Sequence, residues 1–437
     1  MVTESVAALA AFPDDEPAVT ASAGTNALRD IRIHVITLNY HPEEIGIGPY
    51  SAEMAASFAA AGATVTVSSG KPFYPAWRID PAFAGHRPHD RLRDGVAIRH
   101  HHIYVPTRPT GLKRIFHHLS FAAGILPHVL GIARRDRPDL IFMVAPSLIS
   151  TVVGLLAARV SGARTWLHVQ DFEVEAAFAT GLLPGGLLKR LASAFERAVI
   201  RRCDRASSIS PQMCAKLLEK GIAPDRVVEF RNWSDIAAIQ PMAAPSPYRD
   251  EFAITTPYVA LYSGNIANKQ GIEILPRVAR LLAYRTDLTF MICGDGPALA
   301  NVRTAAIGLD NVRFAPLQPR GRLNELVGLA DIHLLPQLAA AADLVLPSKL
   351  TNMLASGRPV VAGAEIGTAL ANEVEGAGLV VPPDDAQAWA DAIEALLDDP
   401  DQAKAMGRKA RHFAETRWAK DALLGAVQSR IATLVRG

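Results

Sequence analysis

The chain has 437 residues, 49% hydrophobic and 20% charged, which excludes a disordered or fibrous chain and allows two or three domains with their own cores. Lysine and arginine number 45 against 43 aspartates and glutamates, and a net charge of +2 gives no reason to expect a nucleic acid partner. Three widely spaced cysteines, Cys203, Cys214 and Cys293, fit neither a disulfide framework nor a zinc site, so a reducing cytoplasm is the expected compartment.

Residues 1–29 are rich in Ala, Thr and Asp and have no hydrophobic period. They lack a basic start followed by an apolar core, so they read as a disordered tail rather than a signal peptide. A first domain is expected over 30–238. It opens with the buried strand IRIHVITL (31–38), a glycine-bearing loop, the helix PYSAEMAASFAAAG and the strand ATVTVSS (63–69). Residues 115–133 then run 19 positions without a formal charge, between Lys113-Arg114 and Arg134-Arg135. A surface helix lying against lipid and a core helix both fit this pattern, so peripheral association with the cytoplasmic face of an inner membrane stays open. Residues 140–158 are also 19 positions without charge, but Pro146-Ser147 divides them into the strand LIFMVA and an apolar helix. RTWLHVQ (164–170) and ASSIS (206–210) continue the strand series.

A Pro- and Ala-rich stretch, 239–257, reads as the linker. A second domain follows over 258–417, with strands YVALYSGN, LTFMICGDG, VRFAP, DIHLLP, PVVAG and GLVVPP separated by helices. Residues 418–437 hold a last amphipathic helix. The alternation predicts an α/β protein of two doubly wound, Rossmann-like domains facing an interdomain cleft, with ligands at the carboxyl ends of the strands.

Five stretches carry candidate chemistry. In NYHPEEIGIGPYSAEM (39–54), Gly46 and Gly48 let backbone approach a ligand beside a helix N-terminus, which favours negative charge. The spacing is not GxGxxG and the second strand ends in Ser68-Ser69-Gly70, which weighs against NAD. In LHVQDFEVEAAF (167–178), Asp171 follows a strand and is the candidate acid/base or acceptor-orienting group. His168 is a second catalytic candidate, although strand alternation also lets it face the core; Glu173 and Glu175 suit a solvated first helical turn. In YSGNIANKQG, the turn Ser263-Gly264-Asn265 followed by Lys269 suits a diphosphate. In CGDGP, Gly294 and Gly296 shape the backbone where a base or ribose packs. In LPSKLTNMLASGRPVV (346–361), Leu350, Met353, Leu354 and Gly357 form the buried stripe of a short helix, and Ser348, Lys349 and Asn352 share the opposite flank. A cation in the first turn opposes the helix dipole unless an anion is present, so Lys349 points to a phosphate.

Metal binding is not expected. Asp399-Pro400-Asp401 reads as a solvated turn, and strand alternation throws His101 to the face opposite His100 and His102. Lys189, Arg190, Arg197, Arg201, Arg202 and Arg205 form a basic segment, read either as a solvated helix face or as an attractor for an anionic lipid carrier or membrane.

The ordered set formed by the Gly46/Gly48 loop, RNWSD (231–235), SGNIANKQG, CGDGP, ADIHLLP, LPSKLTNMLASGRPVV and GLVVPPDD resembles the family-4 retaining glycosyltransferases of GT-B fold, from about residue 30 to 434. Together with KPFYPAW (71–77), it looks like the colanic-acid-type, fucosyltransferase-like members of exopolysaccharide biosynthesis. The resemblance implies a nucleotide-sugar donor (GDP-fucose-like or UDP-sugar) as substrate and a glycan or polyprenyl-diphosphate-linked acceptor, with no cofactor or metal. By position, Lys269 and Lys349 would contact the diphosphate, Gly46 and Gly48 would approach it from the first domain, and Asp171 would act near the acceptor hydroxyl. Gly264, Asn265, Gly294, Ser348 and Asn352 complete the implied donor site, and the last helix would return to the first domain.

Three departures from the family pattern stand out: Asn265 replaces a common basic residue, Asn352 the second of two glutamates eight positions apart, and Leu344, beside Asp343, the first. They shift weight from a double-glutamate mechanism onto the two lysines. A nucleotide-sugar 2-epimerase and a non-catalytic subunit of a polysaccharide assembly complex remain as alternatives.

Overall fold

The computed structural model describes residues 26–172, 186–266, 270–338 and 347–437. The chain divides into two compact units, one reaching Arg231 and including Asp421–Gly437, the other spanning Asn232–Lys420.

The first unit is built on an eight-stranded sheet. Its strands are β1 (Arg32–Thr37), β2 (Thr64–Gly70), β3 (His89–Arg93), β4 (Val96–His101), β5 (Leu140–Ala145), β6 (Arg164–Val169), β7 (Arg205–Ser208) and β8 (Val227–Glu229). The order is β3-β4-β2-β1-β5-β6-β7-β8, parallel except for the β3–β4 hairpin. The helices are α1 (Ile47–Ala60), α2 (Gly111–Arg135), α3 (Leu148–Ser161), α4 (Leu187–Ile200) and α5 (Pro211–Glu219). All six residues of β5 are buried, as expected of a parallel strand covered on both faces. The order reverses at β1, whose neighbours are β2 and β5, and this puts a switch point at their carboxyl ends.

The second unit holds a six-stranded parallel sheet in the order β11-β10-β9-β12-β13-β14. Its strands are β9 (Tyr258–Ser263), β10 (Leu288–Cys293), β11 (Val312–Ala315), β12 (Ile332–Leu335), β13 (Val360–Gly363) and β14 (Gly378–Val381). This is the doubly wound order, reversing between β9 and β12. Its helices are α6 (Tyr248–Glu251), α7 (Ile274–Leu281), α8 (Leu299–Ala305), α9 (Leu323–Val327), α10 (Lys349–Ala355), α11 (Ala369–Val374), α12 (Ala386–Asp398) and α13 (Pro400–Arg417). Ile272, Leu275, Val278, Phe290, Ile292, Trp389 and Ile393 belong to its main core. The last helix, α14 (Lys420–Arg436), is grouped with the first unit, where Gln428 Nε2 donates to Ser57 Oγ at 2.6 Å.

Two boundaries differ from the sequence expectation. Residues 26–29 are not tail: Leu28 is buried and its N–H donates to Ala61 O at 2.9 Å. Residues 239–257 are not a free linker, because Tyr248 and Ile254 pack with Val259, Leu261 and Met291 of the second unit. Their apolar side chains gain burial that Pro and Ala content conceals. The β3–β4 hairpin also escapes the apolar pattern, since HDRLR is an exposed, charged edge strand. Its turn is Asp94-Gly95, with φ of 50° and 75° at the two positions, a combination that suits a tight hairpin.

Candidate functional site

In the second unit the chain leaves β9 through Gly264 and Asn265, and α10 starts at Lys349. The Lys349 ammonium lies 4.0 Å from the centre of the Tyr262 ring. Tyr262 is fully buried and its hydroxyl donates to Asn265 O at 2.7 Å, which fixes the turn beneath the lysine. A Cβ placed on Gly264 would sit 3.9 Å from Lys349 Nζ, so the ammonium lies beside bare backbone. Lys349 as a residue is half-buried, but its Nζ is enclosed and has no hydrogen-bond partner among the described residues. Burial pulls its pKa down to about 7. Among the described residues the enclosed ammonium meets an aromatic ring and no anion, which compensates it incompletely, and an anion would complete it.

Asn352, one turn further along α10, accepts a hydrogen bond from Ser234 Oγ at 3.1 Å. The amide oxygen ties α10 to the 231–235 segment without placing a negative charge three residues from Lys349. A glutamate there would also accept the bond, but its charge would compete with a ligand for the ammonium. Ser348 stands at the start of α10 without a side-chain capping bond, while its carbonyl accepts Thr351 Oγ1 at 2.9 Å.

Gly294 has a backbone reason of its own. Its φ is 156°, and a Cβ there would fall 1.9 Å from Gly264 O, so only glycine lets the two turns stack. The stacking is sealed by Gly264 N donating to Cys293 O at 2.9 Å and Ile266 N to Asp295 O at 2.8 Å. Lys269 lies outside the described residues, as do Glu173, Glu175, Asp343 and Leu344.

In the first unit, Gly46 precedes α1 and Gly48 sits in its first turn. A Cβ on Gly48 would come 3.0 Å from Glu43 Cβ and 3.3 Å from Tyr40 O, so this glycine serves the packing of its own loop. Glu43 is a residue that the sequence reading passed over. It is buried, and Oε1 accepts from Phe73 N at 2.9 Å and Tyr74 N at 3.0 Å. Oε2 accepts from Asn39 Nδ2 at 2.9 Å. Desolvation raises its pKa to about 7 despite these donors. Glu43 thus pins the loop after β1 to the one after β2. Its sequence signal is a carboxylate inside a glycine-rich loop, masked by the neighbouring Glu44. Glu43→Ala leaves the buried Phe73 N–H without its acceptor and removes the bond to the half-buried Tyr74 N–H, and is expected to lower the first unit's unfolding free energy by about 1–3 kcal/mol. Denaturant melts check this, and an unchanged first-unit midpoint would contradict it.

Asp171 is half-buried just past the end of β6. His168 is corrected: it is a core residue of β6, not a group held at a reacting atom. Nδ1 is 2.9 Å from Ser207 Oγ and Nε2 is 2.9 Å from Gln170 Nε2, and the ring packs on Phe230. Burial pushes its pKa down to about 3. Among the described residues, no group of three or more His, Cys, Asp or Glu side chains is placed to hold a metal.

Two doubly wound α/β units in one chain form the architecture of the GT-B glycosyltransferases. Solved structures of that fold resemble this chain: sucrose-phosphate synthase from Thermosynechococcus elongatus has a TM-score of 0.71 at 19% identity, over 93% of this chain and 99% of that one. Anabaena HepE in complex with UDP and glucose has a TM-score of 0.67 at 14% identity, over 92% and 100%. Residues 46–233 match the family described as Glycosyl transferase 4-like domain, and residues 247–413 match Glycosyl transferases group 1. A relative from Escherichia coli (strain K12) carrying the name colanic acid biosynthesis glycosyl transferase WcaI is 37% identical over 408 residues, 90% of this chain and 98% of its own length. The chain therefore belongs to the group 1, family-4-like glycosyltransferases and is an enzyme of that class.

Proposed function

We propose that the protein transfers a sugar from a nucleoside diphosphate donor to a glycan or polyprenyl-diphosphate-linked acceptor in exopolysaccharide assembly, with retention of anomeric configuration and without a metal. One observation carries the donor assignment: the enclosed Lys349 ammonium, unpartnered among the described residues, beside the Gly264 turn at the switch point of the second sheet. A diphosphate supplies an anion for this position, and the ammonium stabilises the charge that builds on the leaving group, which is the task a divalent cation performs elsewhere. Lys269 joins it by position in the sequence. Asp171, at the carboxyl edge of the first sheet, is the group assigned to the acceptor hydroxyl. The name of the colanic-acid relative supports an exopolysaccharide product. Three free buried thiols suit a cytoplasmic protein, and peripheral membrane association follows from a lipid-linked acceptor.

The test is a thermal-shift series with GDP, UDP, ADP and dTDP, followed by transfer assays with the matching nucleotide sugar in the presence of EDTA. Stabilisation by one nucleotide and EDTA-insensitive transfer are expected. Failure of all four nucleotides to stabilise the protein would remove the donor assignment.

A further inference from the structure

We infer that α2 and α4 of the first unit form a docking surface for an anionic lipid bilayer. Each helix buries one face and exposes an apolar stripe on the other. Leu112, Phe116 and Leu119 follow i, i+4, i+7 along α2, and Leu187, Leu191 and Phe195 follow i, i+4, i+8 along α4. These six side chains are 39% to 72% exposed. By length and composition α2 is apolar enough to cross a membrane, yet its inner face is committed to the protein through His117, Phe121, Ile125 and Val129. It fits a helix lying on the surface of a bilayer.

The charge on these helices is one-sided. Lys113, Lys189, Arg190 and Arg197 are exposed and make no ion pair among the described residues. The one acidic residue in either helix, Glu196, is fully buried and bound to Lys220 at 2.7 Å. In a chain of net charge +2, the exposed faces of α2 and α4 therefore carry positive charge alone. Apolar side chains rimmed by unpaired cations complement anionic headgroups over an acyl layer.

The two helices also share a side of the sheet. The crossovers from β4 to β5 and from β6 to β7 run in the same direction across it, so right-handed connections put α2 and α4 on one face. Between them α3 packs against both. Leu112, Phe116 and Leu119 lie in the N-terminal half of α2, and Leu187 and Leu191 in that of α4, toward the carboxyl edge of the sheet where Asp171 lies. The inference rests on the proposed function in one respect: a lipid-linked acceptor would reach this edge from the bilayer.

Co-sedimentation of the full chain with phosphatidylcholine vesicles, with and without phosphatidylglycerol, tests the surface. Binding that requires phosphatidylglycerol and weakens with salt is expected. Lys189→Glu with Arg190→Glu, and separately Phe116→Ser with Leu191→Ser, should each lower vesicle partition at least about tenfold. Thermal unfolding and transfer to a water-soluble acceptor should be unchanged. The inference is overturned if the wild type ignores anionic vesicles or if both double variants bind as well as wild type. It is equally overturned if the face proves to be a self-association surface, seen as a dimer that Phe116→Ser with Leu191→Ser turns into a monomer. Vesicle binding without sugar transfer would instead count against the proposed function and leave the surface standing.

Discussion

Lys349→Ala is expected to reduce kcat/KM for sugar transfer by about 100-fold or more, the loss of one enclosed charge-assisted contact worth about 3 kcal/mol to the departing diphosphate. The substitution also removes an enclosed ammonium that has no hydrogen-bond partner among the described residues, so the unliganded second unit should be no less stable, and the loss is one of function. The pH dependence is a sharper signature. With its pKa held near 7 by burial, Lys349 is about three-quarters protonated at pH 6.5 and only a few per cent protonated at pH 8.5. A bound diphosphate favours the charged form, so binding takes up a proton, and affinity for a nucleotide sugar should fall on the order of 10- to 30-fold between those pH values. A nucleotide sugar is the right ligand, because its diphosphate is fully ionised throughout. Titration calorimetry in buffers of different ionisation enthalpy reads the proton uptake directly. Lys349→Ala should bind weakly and without this slope; a wild type with a flat profile would show that the ammonium does not meet the diphosphate.

Much of this site is legible in the sequence, for identifiable reasons. The parallel strands announce themselves because coverage on both faces demands continuous apolar runs, as in LIFMVA of β5. Lys349 stands out because a cation in a first helical turn opposes the dipole. The same coverage explains why His168 misleads: in a sheet with helices on both sides, either orientation of a strand residue leads into a packed layer, so alternation cannot tell a core histidine from a catalytic one. Tyr262 is hidden for a related reason, since a tyrosine inside YVALYS reads as core until its ring is seen beneath the ammonium. The Ser234–Asn352 bond spans 118 positions, and no local pattern encodes a contact of that range. Glu43 is invisible because its burial depends on two backbone N–H groups contributed by a separate loop.

Acid should unfold the first unit well before the second. His34, His100, His101 and His168 are buried in the first unit, and desolvation is the largest cause that lowers their pKa values to about 3, 4, 4 and 3. An unfolded histidine titrates near 6.5. Between that value and the folded ones the unfolded chain binds more protons, so stability is fully present above about pH 6.5 and is lost as pH falls through the window. At pH 5.5 each such group costs about 1.4 kcal/mol, and four together cost about 5.5 kcal/mol, comparable to the whole stability of a typical domain. Glu43 partly offsets this loss, because its raised pKa lets the folded state take up a proton between about pH 7 and 4.5. Its one proton does not balance four. In the second unit His333 is the one buried histidine among the described residues, with a pKa lowered to about 3, so that unit loses roughly a quarter as much. Scanning calorimetry at pH 7.5 and 5.5 should show one transition moving down steeply with acid while the other shifts little. Binding of the stabilising nucleotide assigns the second by raising its midpoint. His34→Gln with His101→Gln removes two of the titrating groups and should reduce the acid shift of the first transition by about half. If the two transitions moved together with pH, or if the double variant kept the full shift, the buried histidines would not be the cause of acid lability.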